Sequence, residues 1–103
     1  MNPDLKQKFS SRFVRRGGIA FLSATDAVQL VLDAKALKIP VLGVDAFWLG
    51  KDTTQPSMEH STDFSASWSM VAPRDAHEEA VKLIETYREL GLFFEVVLDC
   101  GDE

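Results

Sequence analysis

Three segments of this chain alternate their side chains with a period of two, and that restricts it to folds built on a half-covered sheet. In VLGVDAFWL, Leu42, Val44, Ala46 and Trp48 share one face, and Val41, Asp45, Phe47 and Leu49 the other. In FSASWSM the division is Phe64, Ala66, Trp68 and Met70 against Ser65, Ser67 and Ser69. In LFFEVVLD it is Leu92, Phe94, Val96 and Leu98 against Phe93, Glu95, Val97 and Asp99. Successive strand residues point to opposite sides of a sheet, so each segment offers one apolar face to a core and keeps a second face for something else. That second face mixes phenylalanine with carboxylate and serine and carries no basic residue.

Between the strands the periodicity turns helical. Asn2-Pro3-Asp4 reads as an N-cap followed by proline in the first helical position, and Leu5, Phe9 and Phe13 continue as an apolar stripe that Gly17-Gly18 ends. Residues 18–22 (GIAFL) form either a short strand or a turn. Ser23 and Asp26 make a capping box for a second helix whose core face is Ala27, Leu30, Val31, Ala34 and Leu37, and Pro40 stops it. The polar stretch from Gly50 to Asp63 (GKDTTQPSMEHSTD) reads as a long connection. A last helix runs from Asp75 to Leu90, with Ala76, Ala80, Leu83, Ile84, Tyr87 and Leu90 on one side and Gly91 at its C-terminal turn. The class is α+β: an antiparallel sheet of three or four strands with two helices on one face, preceded by an N-terminal helix. With GIAFL as a strand the order is the ferredoxin-like βαββαβ, and with GIAFL as a turn the sheet has three strands.

The chain of 103 residues is the size of one domain. Residues 1–17 form a basic helix or arm at its start, and the first 18 residues carry a net +4. The whole chain is at −5, so the remainder is at −9. A body of that sign repels nucleic acid and favours basic partners. No apolar run is long enough to cross a bilayer, no signal peptide is recognisable, and the single Cys100 has no internal partner, which together suit a cytoplasmic setting.

Reactive chemistry finds little support. His60, His77 and Cys100 do not fall at metal-ligand spacings, and no C-x-x-C, H-x-x-x-H or H-E-x-x-H occurs. There is no G-x-S-x-G, and Gly17-Gly18 has no phosphate-loop lysine. Cys100 beside Asp99 is a poor candidate for a thiolate. Asp45, in mid-strand, would become a general base only if buried, and no general acid, oxyanion donors or cofactor motif accompanies it. The expectation is a binding protein with no cofactor and no metal. Its surface would use Asp45, Phe47, Phe93, Glu95 and Asp99 from the sheet, with Glu59 and Asp63 from the long connection.

The helix DAVQLVLDAKALK followed by IPVLGVDAFWL, with a polar stretch and Trp68 beyond, resembles the small immunity proteins of bacterial polymorphic toxin systems over about residues 25–98. Asp45 and Trp68 are the matching positions, and Val44 stands where that motif carries a second glycine. The resemblance implies stoichiometric binding of a cognate toxin. The acidic body separately suits a basic partner. The alternative is a homodimer that buries Phe47, Leu49 and Phe93 between two open faces and encloses a small ligand or a modest active site.

Overall fold

The computed structural model describes residues 3–63 and 76–98. In chain order the elements are α1 (Pro3–Phe9), β1 (Val14–Arg16), β2 (Ile19–Phe21), α2 (Ala24–Ala36), β3 (Val41–Leu49), β4 (Thr54–Asp63), α3 (Ala76–Thr86), a 3-10 turn (Arg88–Leu90) and β5 (Phe93–Leu98). This is an α+β fold. β3 is the centre of an antiparallel sheet ordered β4-β3-β5. β2 joins at the β5 edge through an antiparallel bridge, in which Leu22 and Phe94 exchange two backbone hydrogen bonds of 2.8 Å. GIAFL is therefore a strand and the order βαββαβ holds. The connection through α2 passes over β5 and that through α3 passes over β3, so each is a split βαβ unit, but the second and fourth strands of the set are at the centre, where the ferredoxin-like order has the first and third.

Helices α2 and α3 cover one side of the sheet. Leu92, just before β5, and Phe94 and Val96 of β5 meet Ala27, Leu30, Val31 and Ala34 of α2, and Ala80 and Ile84 of α3, in one buried cluster. The leading helix is shorter than its apolar stripe suggests. It ends at Phe9, which is fully buried with Leu5, and Phe13 stands outside it. The glycine pair explains the difference: Gly17 and Gly18 have φ of 56° and 82°, the left-handed pair of a two-residue hairpin turn, so Val14–Arg16 folds back on Ile19–Phe21 as β1. The basic start of the chain is consequently no free arm. Lys8 pairs with Asp33 at 2.6 Å and Arg12 with Asp26 at 3.2 Å, both on α2.

Helix α2 begins as its capping box requires, with Ser23 Oγ accepting from the Asp26 backbone N–H. Its end is a Schellman motif: Lys38 N–H donates to Lys35 O at 3.0 Å and Ile39 N–H to Ala34 O at 2.8 Å. Leu37, expected in the core, caps the helix and is 52% exposed.

Gly50–Asp63 is mostly not a loop. Gly50 N–H donates to Thr53 O, closing a short turn, and β4 runs antiparallel to β3 from there. The sequence conceals it because Gln55, Pro56, Ser57 and Glu59 have weak strand preference. An edge strand takes its register from its neighbour and tolerates proline. The strand expected in FSASWSM lies outside the described residues, as does the Asp75 start of the last helix.

Lys38 is a non-glycine residue at φ 61°. Lys38→Gly should stabilise the fold by roughly 0.5–1 kcal/mol, the relief of left-handed strain less the extra backbone entropy of glycine. Gly18→Ala should destabilise it by about 1–2 kcal/mol for the reciprocal reason. Urea unfolding of the two variants beside the parent checks both signs.

Candidate partner-binding surface

The register of β3 with β5 decides what the second sheet face presents. One irregularity resets the alternation in β3. Val41 pairs with Leu98 and Gly43 with Val97, so Leu42 is an extra residue in a bulge. Val41 accordingly turns into the helix-covered core with Val44 and Ala46, on the opposite side from that expected. Beyond the bulge the period of two holds: Asp45 lies opposite Glu95, and Phe47 opposite Phe93. Asp45, Phe47, Phe93 and Glu95 thus share the side away from the helices.

That side is only partly open. Phe47 is 9% exposed because the Phe21 ring from β2 packs on it edge-to-face, with centroids 4.7 Å apart. The β1–β2 hairpin is held over the same end by Arg16, whose guanidinium donates to Gly50 O at 2.5 Å and Thr53 O at 3.0 Å. Phe47 therefore anchors the hairpin and offers little area to a partner, while Phe93 stays half-buried and Val97 exposed. Asp45 and Glu95 are half-buried. Partial burial, and then the neighbouring Asp45 charge, push the Glu95 carboxyl above its ordinary value. Glu59 is exposed on β4, and Asp63 enters the same strand opposite Gly43. Both belong to the sheet edge and not to a long loop. Asp99, Trp68 and Cys100 lie outside the described residues.

A second group forms on the helix side of the sheet, where β4 makes a wide excursion. Val44 pairs with Thr62 and Ala46 with Ser57, so the four residues 58–61 stand against Asp45 alone, three more than a regular ladder holds. Ser61 spans the gap: its hydroxyl accepts from Ala46 N–H at 2.9 Å and donates to Ser57 O at 2.7 Å. Within the excursion Ser57 Oγ and His60 Nδ1 share a hydrogen bond of 2.6 Å. The His60 ring meets Tyr87 at 4.3 Å and Trp48 at 6.3 Å, both nearly perpendicular. Sequence reading missed this group because its rings are distant along the chain and come from a core-patterned strand, an apparent loop and a helix end. The one available signal was Trp48 itself, which lies near the end of its strand, where helix cover can run out.

None of this assembles a reaction centre. Ser57 and His60 resemble a nucleophile and base, but Ser57 is buried and the neighbouring Ala46 N–H is already bonded to Ser61. His77 is a core histidine that donates through Nε2 to Ile39 O at 2.6 Å and ties α3 to the start of β3. Among the described residues no group of His, Cys, Asp and Glu is placed to hold a metal ion. No helix among them is long and apolar enough to cross a membrane. Neither a protein-family model nor a curated protein matches the chain.

The raised Glu95 carboxyl has a consequence for stability. A carboxyl with a higher pKa in the folded state binds more protons there than in the unfolded chain, so its contribution is present at low pH and is lost as pH rises through the folded value. Glu95→Gln should therefore stabilise the protein at neutral pH. It should also flatten the fall in stability that begins near the ordinary carboxyl value of 4.5. Urea midpoints of parent and variant between pH 4 and 8 measure it, and parallel curves would show that Glu95 is uncoupled from folding.

Proposed function

We propose that this chain is a stoichiometric binding protein that occludes a basic protein partner, in the manner of the cytoplasmic immunity proteins its sequence resembles. The observation that carries this reading is the Asp45–Glu95 pair. Two carboxylates directly opposite on adjacent strands repel each other, and partial burial amplifies the effect. A sheet with no need of charge there would be more stable with neutral residues. A lysine or arginine from a partner, placed across the pair, relieves the repulsion and gains charge-assisted hydrogen bonds. Half-buried Phe93 and exposed Val97 beside the pair supply apolar contact, and exposed Glu59 extends the acidic surface to the β4 edge.

The homodimeric alternative loses support on the same face. It relied on burying Phe47 in the contact between two copies, and Phe21 already covers that ring.

The test is calorimetric titration against the product of the adjacent reading frame. A 1:1 complex is expected, with Asp45→Lys and Glu95→Lys each weakening it by about 10–100-fold, as loss of a desolvated charge contact of 1.5–3 kcal/mol requires. Unchanged affinity in the double variant would remove the pair from the interface. A metabolic enzyme as neighbour, with no complex formed, would remove the reading altogether.

A further inference from the structure

Trp48 has the sheet parity of Val44 and Ala46, which are fully buried, yet it is 39% exposed. The helix α3 ends at Thr86, one residue before Tyr87. Beside Trp48 stands the His60 ring and, against it, Tyr87. The arrangement is held in place before any partner arrives. Ser57, itself buried, fixes the imidazole, Ser61 fixes the strand excursion that carries it, and Tyr87 packs against the core. An indole so exposed, next to aromatic rings whose orientation is fixed, is the kind of rigid patch that dominates protein interfaces.

The charges around it indicate what docks. Arg88, adjacent to Tyr87, is held by Glu85 and by Thr25, and Arg16 is held by the carbonyls of the β3–β4 turn. Lys51 in that turn is exposed with Asp52 beside it in the chain. Glu59, next to His60, and Glu89, two residues from Tyr87, are exposed and form no ion pair among the described residues. An aromatic surface with such carboxylates beside it favours a cation that can stack. Guanidinium does so better than ammonium because it is planar and weakly hydrated.

We propose that Trp48, His60 and Tyr87 form a docking patch for an arginine side chain of a protein partner, with Glu59 as its nearest carboxylate in sequence. The inference rests on the basic-partner reading for its occupant. It gives that partner a contact on the opposite side of β3 from Asp45, reached around the β4 edge.

Two measurements test it. In the first, the full chain is titrated with N-acetyl-arginine amide while the tryptophan indole resonances are followed, Trp68→Phe assigning the Trp48 signal. The Trp48 signal should shift saturably, with affinity at least threefold better than for the lysine amide and no response to the glutamate amide. Glu59→Gln should weaken the response, and Asp45→Asn with Glu95→Gln should leave it unchanged. Equal shifts with all three amides, or shifts confined to the Asp45 face, would overturn the patch. In the second, Trp48→Ala and Tyr87→Leu, checked for folding by circular dichroism, should each weaken the complex with the adjacent gene product at least tenfold. If Asp45→Lys abolishes that complex and both aromatic variants leave it intact, the basic-partner reading stands and the arginine patch falls.

Discussion

The pairing of β3 with β5 is the constraint on which the remainder of the molecule depends. Val44 opposite Val96 and Ala46 opposite Phe94 build the floor on which α2 and α3 rest. The same ladder sets Asp45 against Glu95 and Phe47 against Phe93 on the far side. A slip by one residue would exchange the two sets, burying the carboxylates under the helices at a cost of several kcal/mol per uncompensated charge. The hydrophobic floor therefore protects the placement of the acidic pair. The repulsion inside that pair is tolerated because the core on the other face is large enough to hold the register. The β2 edge follows from the same ladder, since Leu22 bridges to Phe94 and sends Phe21 to the opposite face, over Phe47.

Where alternation was uninterrupted, the sequence disclosed the structure. β5 is the clearest instance, with Phe94 and Val96, and Leu92 just before them, buried among the helices and Phe93, Glu95 and Val97 turned away. The second helix was equally legible from Ser23, Asp26 and Pro40, because capping chemistry is local. Legibility failed where a backbone irregularity intervened. The bulge at Leu42 moved Val41 to the other face, and the one signal for it was Gly43 beside it, since an isolated glycine inside a strand often marks a bulge. The pair Gly17-Gly18 did carry its signal, a two-residue hairpin turn, but the helical spacing of Leu5, Phe9 and Phe13 competed with it and drew the helix too far.

β4 is a different kind of failure. Its residues have little intrinsic preference for a strand, and their conformation comes from β3, which supplies the ladder, and from Ser61, which completes it across the excursion. Such a strand is a tertiary product that single-residue tendencies do not reveal. The candidate surfaces inherit the same limit. Asp45 with Glu95 could be anticipated from alternation, whereas Trp48, His60 and Tyr87 meet only because an edge strand leaves its ladder beside the end of a helix.

The distribution of cations connects these features. Lys8 and Arg12 fold back on Asp33 and Asp26 of α2, Lys35 reaches Glu78 of α3, and Arg88 holds Glu85. Solvent-exposed pairs of this kind are screened by water and hold long side chains in place, so they are weak as fasteners. Their larger effect is on the field. They place neutralising charge on the helical layer, where Asp33 is held below the usual carboxylate range despite its burial by hydrogen bonds from Lys8 and Gln29 and by the Lys8 charge. The basic segment at the start of the chain thus cancels acidity on one side of the molecule. The described strands and their turns carry Asp45, Asp52, Glu59, Asp63 and Glu95 against Arg15, Arg16 and Lys51. Screening reduces such a field within about 10 Å at ordinary ionic strength, so it acts on groups already close to the surface. That range suits the contact with basic side chains that is proposed for the Asp45–Glu95 pair.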